Sequence, residues 1–176
     1  MSQFEIQHDI GDFPRRLQQL PRAVRQEVLE GAGETGQTRA LSLFERVTRT
    51  WRHKPSFRVR ADVRPTFVKV AGGTDDPVFQ YVDLGTRPHT IEPRGPGYPL
   101  RFASGYRAKT IPGTLSGRRG GSFGREVRAM RVRHPGTRAR RFSEMIGKDT
   151  LETIRKALGK QFGQAVRRGY QRIRLR

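Results

Sequence analysis

The fold class is decided by the stretch from residue 57 to residue 64, which reads FRVRADVR. Apolar and charged residues alternate in it, and this period of two is what a half-buried β-strand requires. Residues 66–71 continue as a second strand. The GGTDDP segment at residues 72–77 has the chemistry of a turn, and the apolar run of residues 78–84 follows it. We therefore expect an antiparallel meander in the middle of the chain.

Helical periodicity flanks this meander on both sides. The N-terminal apolar positions are Leu17, Leu20, Val24, Val28, Leu41, Phe44, Val47 and Trp51. Three glycines between residues 31 and 36 predict a kink or break in this helix, because each weakens a helix by roughly 1 kcal/mol relative to Ala. The C-terminal stripe is Leu151, Ile154, Leu158, Phe162, Val166 and Tyr170. The pattern predicts an α+β fold: an N-terminal helix, an antiparallel β-sheet with a long basic loop, and a C-terminal helix packed on the sheet.

Length and composition set further limits. A chain of 176 residues buries one sizeable core, so we expect a single domain over residues 1–176. The chain has no Cys, which excludes disulfides and thiolate metal sites. No window approaches the roughly 20 apolar residues of a membrane span, so no membrane partner is expected.

The net charge of +20 is concentrated in the second half of the chain. Residues 86–141 hold 14 Lys and Arg against 2 Asp and Glu, whereas residues 1–85 hold 13 against 11. Within the basic part, residues 94–125 are mostly Gly, Pro, Ser and Arg, which predicts a mobile basic loop. Such a charge needs a polyanion, an acidic partner or the inner wall of an oligomer to offset it. An ordinary basic surface from an Arg-rich genome is the alternative.

Catalytic chemistry has little support in this sequence. His8, His53, His89 and His134 are far apart and lack the close His or Cys partners of zinc patterns. No nucleophile elbow, P-loop or paired-carboxylate arrangement occurs. We therefore expect no enzyme activity, no catalytic residue, no metal and no cofactor.

Two short motifs stand out instead. The first spans residues 81–93 and contains Gly85, Thr86, His89, Ile91 and Pro93; the second spans residues 132–142 and contains His134, Pro135, Gly136, Thr137 and Phe142. Glycines that adopt positive φ, prolines that fix extended turns and threonines that bond local backbone indicate a scaffolding role. The loops that they shape either form subunit contacts or hold the monomer together.

In content, order and spacing, the two motifs resemble those of the gene-product-ten-like morphogenesis proteins of tailed bacteriophages. The resemblance extends from about residue 14 to residue 170. It implies a virion structural protein that forms a ring of six or twelve copies at the head-tail junction, as a neck or tail-completion protein. The implied partners are further copies of itself, the head-side connector, tail-tube or tail-terminator proteins, and the double-stranded DNA that passes through. The implied location is the virion, assembled in the host bacterial cytoplasm.

The arginines of the basic region are the candidate contacts to DNA or to an acidic partner. They are Arg118, Arg119, Arg125, Arg128 and Arg131. A second function class uses the same residues: a sequence-independent nucleic-acid-binding protein, in which the arginines contact phosphates directly. Phe102, Tyr106 and Phe123 are its only candidates for base stacking in the loop.

Overall fold

The computed structural model describes residues 2–9, 17–95, 97–117 and 119–174, and it shows the expected α+β fold. The helices are α1 (Arg22–Thr48), α2 (Pro77–Leu84) and α3 (Phe142–Arg174). The strands are β1 (Ser2–Asp9), β2 (Arg58–Arg64), β3 (Phe67–Thr74), β4 (His89–Ile91), β5 (Leu100–Arg107), β6 (Gly121–Ala129) and β7 (Val132–His134). They form one three-stranded sheet in the order β1-β3-β2 and two pairs, β4-β7 and β5-β6.

Backbone contacts divide the chain into two compact units. The core unit comprises Gln3–Phe44, Phe57–Gly73 and Ile146–Arg176. The ribbon unit comprises Met1–Ser2, Glu45–Ser56 and Thr74–Met145. The single domain over residues 1–176 stays a prediction.

The sheet of the core unit confirms the two strands predicted from the alternating pattern. Strands β2 and β3 pair antiparallel, from Arg58 opposite Gly73 to Arg64 opposite Phe67. Val68 and Val70 of the central strand β3 are completely buried, whereas every second residue of β2 is a charged side chain in solvent. The strand β1 beside β3 was not expected, although Phe4 and Ile6 alternate with polar residues in the sequence.

The glycines of α1 do not break the helix, which runs without interruption from Arg22 to Thr48. They are instead positions of close packing. A Cβ on Gly33 would lie 2.9 Å from Val63 Cγ2, and one on Gly36 would lie 2.6 Å from Ile154 Cγ1. The predicted break is therefore wrong, because the energy gained from bringing α1 close to its neighbours exceeds the helix-propensity cost.

Helix α3 confirms the apolar stripe that the sequence placed on the last helix. Ile154 and Leu158 are buried in one cluster with Val68, Val70 and Leu29. The C-terminal helix thus packs on the sheet, as predicted. Tyr170, the last residue of the stripe, has no described side chain.

Residues 78–84 were expected to extend the meander and instead form helix α2. Asp76 caps this helix, because its Oδ1 accepts a hydrogen bond of 2.8 Å from the N–H of Phe79. Pro77 occupies the first turn, and Gly85 ends the helix with φ 77°. Burial raises the pKa of the Asp76 carboxyl, but hydrogen bonds from His53 and from backbone N–H groups outweigh it and lower the pKa below its ordinary value. The local capping signals thus override the strand preference of the apolar run.

The predicted basic loop, residues 94–125, holds strand β5 and the first residues of β6. The two strands pair antiparallel, from Leu100 opposite Ala129 to Arg107 opposite Gly121. Small residues at 103–105 hide the alternation of β5 in the sequence. The mobility of residues 94–125 in an isolated subunit stays a prediction.

Candidate assembly site

The structure brings the two sequence motifs together in the ribbon unit, although about fifty residues separate them. Thr86 and Thr137 form a two-way backbone bridge, with N···O distances of 2.9 and 3.1 Å. The Oγ1 of Thr86 also accepts a hydrogen bond of 2.9 Å from the N–H of Thr137. Next to this bridge, β4 pairs with β7, so that Ile91 lies opposite Val132. We call this arrangement the motif joint, residues 83–93 and 132–143.

The two glycines of the joint have backbones that other residues rarely adopt, with φ 77° at Gly85 and 88° at Gly136. A Cβ on Gly85 would lie 2.5 Å from the carbonyl oxygen of Thr137. A Cβ on Gly136 would collide with the carbonyl oxygen of Thr86. Each glycine therefore leaves room for the backbone of the other motif.

Asp83, which lies in the first motif but was given no role of its own from the sequence, connects the end of α2 to the start of α3. Its side chain is buried and accepts hydrogen bonds from the backbone N–H of Ser143, at 3.1 Å, and from the Ser143 hydroxyl, at 2.7 Å. Its backbone oxygen accepts from the N–H groups of Arg140 and Arg141. A carboxylate at a helix N-terminus is favourable for the helix dipole. The only signal in the sequence was an acidic residue two positions before Gly85.

Each of the two histidines of the joint forms a hydrogen bond within its own turn. They lie opposite each other on β4 and β7, with ring centroids 5.0 Å apart. The Nδ1 of His89 donates to the carbonyl oxygen of Arg87 at 2.8 Å, and the Nδ1 of His134 accepts from the N–H of Gly136 at 3.0 Å. Within the described residues, no group of three or more His, Cys, Asp or Glu is placed to hold a metal ion.

The remaining motif residues lie where the sequence placed them. Phe142 opens α3 and is fully buried, with its ring centroid 6.0 Å from that of Phe79. Phe79 in turn packs on Trp51 at 6.1 Å. Pro93 lies two residues after β4, and Pro135 directly follows β7.

The predicted contact arginines are spread along the β5-β6 pair and its surroundings. Arg125 and Arg128 lie on β6, and Arg119 lies in the connection that precedes β6; Arg118 lies outside the described residues. Arg128 forms an ion pair of 3.2 Å with Glu126, and Arg131 forms one of 3.4 Å with Glu92.

The structure adds two arginines, Arg101 and Arg107 on β5, to this group. Arg101 lies directly opposite Arg128 in the strand pairing. The sequence did not indicate these two arginines, because residues 94–125 were predicted to be a loop, and the side chains of a loop do not alternate between two faces.

Exposed apolar side chains are concentrated in the ribbon unit. Of the ten large hydrophobic residues that are exposed in the described chain, Leu41 alone belongs to the core unit. Tyr81 is 60% exposed and Leu84 is 65% exposed on α2. The other seven in the ribbon unit are Val78, Tyr98, Phe102, Tyr106, Ile111, Phe123 and Met130. Val78, Tyr81 and Leu84 follow one another at intervals of three residues, so they lie on one face of α2.

Neither a family model, nor a curated protein, nor a solved structure matches this chain. None of the helices in the described part of the chain is long and apolar enough to cross a bilayer.

Proposed function

We propose that this protein is a virion structural protein that forms a ring at the head-tail junction of a tailed bacteriophage or phage-like particle. In this role it acts in the neck or in tail completion and joins the connector to the tail around the DNA path. Its partners are further copies of itself, in a ring of six or twelve, and the connector and tail proteins on either side. The family named in this proposal is taken from the motif resemblance. The exposed surface of the ribbon unit is the physical support for the proposal.

The observation that carries the proposal is the concentration of exposed apolar side chains in the ribbon unit. Val78, Tyr81 and Leu84 are exposed at intervals of three residues on α2, so they form a continuous apolar face, and a continuous face of this kind marks a site of contact with another protein. Aromatic residues and arginines are also the types enriched at protein interfaces. The motif joint supports the role because it fixes the end of α2, which presents part of this surface.

The alternative is a sequence-independent nucleic-acid-binding protein. The arginines and aromatics of the β5-β6 pair favour it, because they provide phosphate contacts and stacking surfaces. It does not account for the exposed apolar face of α2, where Val78, Tyr81 and Leu84 carry no charge. We therefore favour the ring protein.

Gene deletion in the phage or prophage that encodes the chain tests the proposal. We expect DNA-filled heads and separate tails in electron micrographs, and neighbouring genes for portal, capsid and tail proteins. Complementation with Tyr81→Ser/Leu84→Ser should fail to restore tailed particles, since this change removes the apolar face of α2. Leu41→Ser, which changes an exposed apolar residue of the core unit, is the matched control and should restore them. Normal tailed particles after deletion would overturn the proposal.

A further inference from the structure

The β5-β6 pair is an exposed two-stranded ribbon. Its strands pair with each other, and none of their residues is buried. An isolated pair of strands is only marginally stable in water, so a ribbon of this kind gains from a surface that it can bind. We call it the arginine ribbon, residues 100–107 and 121–129.

The strand register gives the ribbon two different faces. Side chains alternate along a strand, so Arg101 and Arg107 share a face, and Arg128 joins them because it lies opposite Arg101. The other face presents Phe102 and Tyr106. Between Ala103 and Gly105 the register shifts, because β6 holds one residue more than β5 there. Arg125 lies within this bulge.

The cations of the ribbon are poorly neutralised by the chain itself. Among the described residues, no carboxylate lies within 4.0 Å of the guanidinium groups of Arg101, Arg107 or Arg125, and Glu126 pairs with Arg128 alone. Like charges directly opposite each other, such as Arg101 and Arg128, destabilise a strand pair. In the core unit, by contrast, carboxylates stand beside Arg39, Arg64, Lys156 and Arg168.

We propose that the arginine face of the ribbon binds the phosphate backbone of double-stranded DNA without sequence selectivity. This inference deepens the proposed function and rests on it, because a ring at the head-tail junction surrounds the DNA path. The sequence allowed either DNA or an acidic protein as the partner of these arginines, and the inference names DNA.

The spacing of the ribbon arginines favours duplex DNA, whereas the guanidinium chemistry suits phosphates and carboxylates alike. Guanidinium groups bind phosphate oxygens with two parallel hydrogen bonds. Arg107 lies six positions after Arg101, a span of roughly 20 Å at the rise of a β-strand, which matches about six base-pair steps of duplex DNA. Contacts to phosphate oxygens carry no direct sequence information, so binding through them does not depend on the base sequence.

Fluorescence anisotropy with a random-sequence 30-base-pair duplex, titrated between 50 and 300 mM salt, tests the inference on the full chain. The variant is Arg101→Gln/Arg107→Gln/Arg128→Gln, which removes the three arginines of that face. Its matched control is Arg155→Gln/Lys160→Gln/Arg167→Gln, which removes the same number of exposed cations from the core unit. We expect the ribbon variant to bind at least tenfold more weakly and to reduce the salt slope by about 3, since each lost phosphate contact removes about 0.9 from the slope. The control should stay within twofold of the wild type.

Three results would overturn the inference: no duplex binding by the wild type, equal weakening in both variants, or tighter binding to poly-glutamate than to the duplex at the same salt. If the triple variant misfolds by circular dichroism, Arg107→Gln alone, opposite Gly121, should still lower the slope by about 1. The anisotropy experiment is independent of the deletion experiment. If the ribbon binds the duplex but tailed particles are normal after deletion, the proposed ring function is rejected. If tailed particles are lost but the chain does not bind the duplex, only the role of the ribbon as a DNA contact is rejected.

Discussion

Replacing Asp83 with alanine should destabilise the ribbon unit strongly, because this carboxylate is the acceptor that fixes the start of α3. Asp83→Ala removes the carboxylate that accepts from the Ser143 N–H and from the Ser143 hydroxyl, and both residues are buried. An unsatisfied buried donor costs about 1–3 kcal/mol, and two of them give about 2–6 kcal/mol. We expect a loss of about 3–4 kcal/mol, a large share of the roughly 5–15 kcal/mol that stabilises a typical protein.

Urea unfolding followed by tryptophan fluorescence measures this loss. Trp51 is the single tryptophan of the chain and packs on Phe79 in the ribbon unit, so its emission reports this unit. With an m-value of about 2 kcal/mol per M, the midpoint should fall by about 1.5–2 M. Asp83→Asn keeps one acceptor oxygen and should lose less than half as much.

The control is Asp62→Ala, which removes an exposed carboxylate that pairs with Arg64 at 3.0 Å. An exposed ion pair contributes about 0–1 kcal/mol, so the midpoint of this control should hardly move. If the midpoint of Asp83→Ala stayed within about 0.3 M of the wild type, or if both variants shifted equally, the joint would not depend on Asp83.

Three further predictions concern packing and pH. Gly36→Ala should lower the stability by about 1–3 kcal/mol despite the better helix propensity of Ala, because the added Cβ collides with α3. Gly159→Ala, where the added Cβ meets open space, should raise the stability by about 0.5–1 kcal/mol. Equal effects of the two changes in thermal melts would contradict the packing role of Gly36. Leu158→Asp places a carboxylate in the core and should cost about 4 kcal/mol, so an unchanged melting temperature would remove α3 from the core. Burial raises the pKa of Asp76 in the folded state, but hydrogen bonds from His53 and from backbone N–H groups outweigh burial and lower it. The Asp76 carboxylate therefore stabilises the folded state above about pH 4, and this stabilisation is lost as the pH falls. The melting-temperature difference between the wild type and Asp76→Asn should shrink as the pH is lowered below about 4, and a constant difference would refute this.

The sequence alone predicted the elements whose periodicity is set by burial. Strand β2 shows the period of two because one face lies on the core and the other in solvent. Helix α3 shows its stripe for the same reason, with Ile154 and Leu158 on the buried face. Local patterns of this kind are visible without knowledge of what covers them.

Two local predictions were wrong because a second signal competed with the first. Glycines at 33 and 36 weaken an isolated helix, but in the folded chain they allow close contact with Val63 and Ile154. The apolar run after Pro77 favours a strand, but Asp76 caps it as helix α2. In the first case the stabilisation comes from residues distant in the chain, and in the second it comes from the adjacent cap, Asp76, which the apolar pattern did not include.

The candidate site depended most on the tertiary structure. The sequence supplied both motifs, and their glycines and threonines indicated turns. It could not show that Thr86 bonds Thr137, that Asp83 bonds Ser143 sixty positions away, or that Arg101 faces Arg128 across the ribbon. A hydrogen bond or a cross-strand pair depends on distances of a few ångströms between residues that the chain separates widely. Only the folded backbone fixes those distances, whereas the residue types that can use them are already fixed in the sequence.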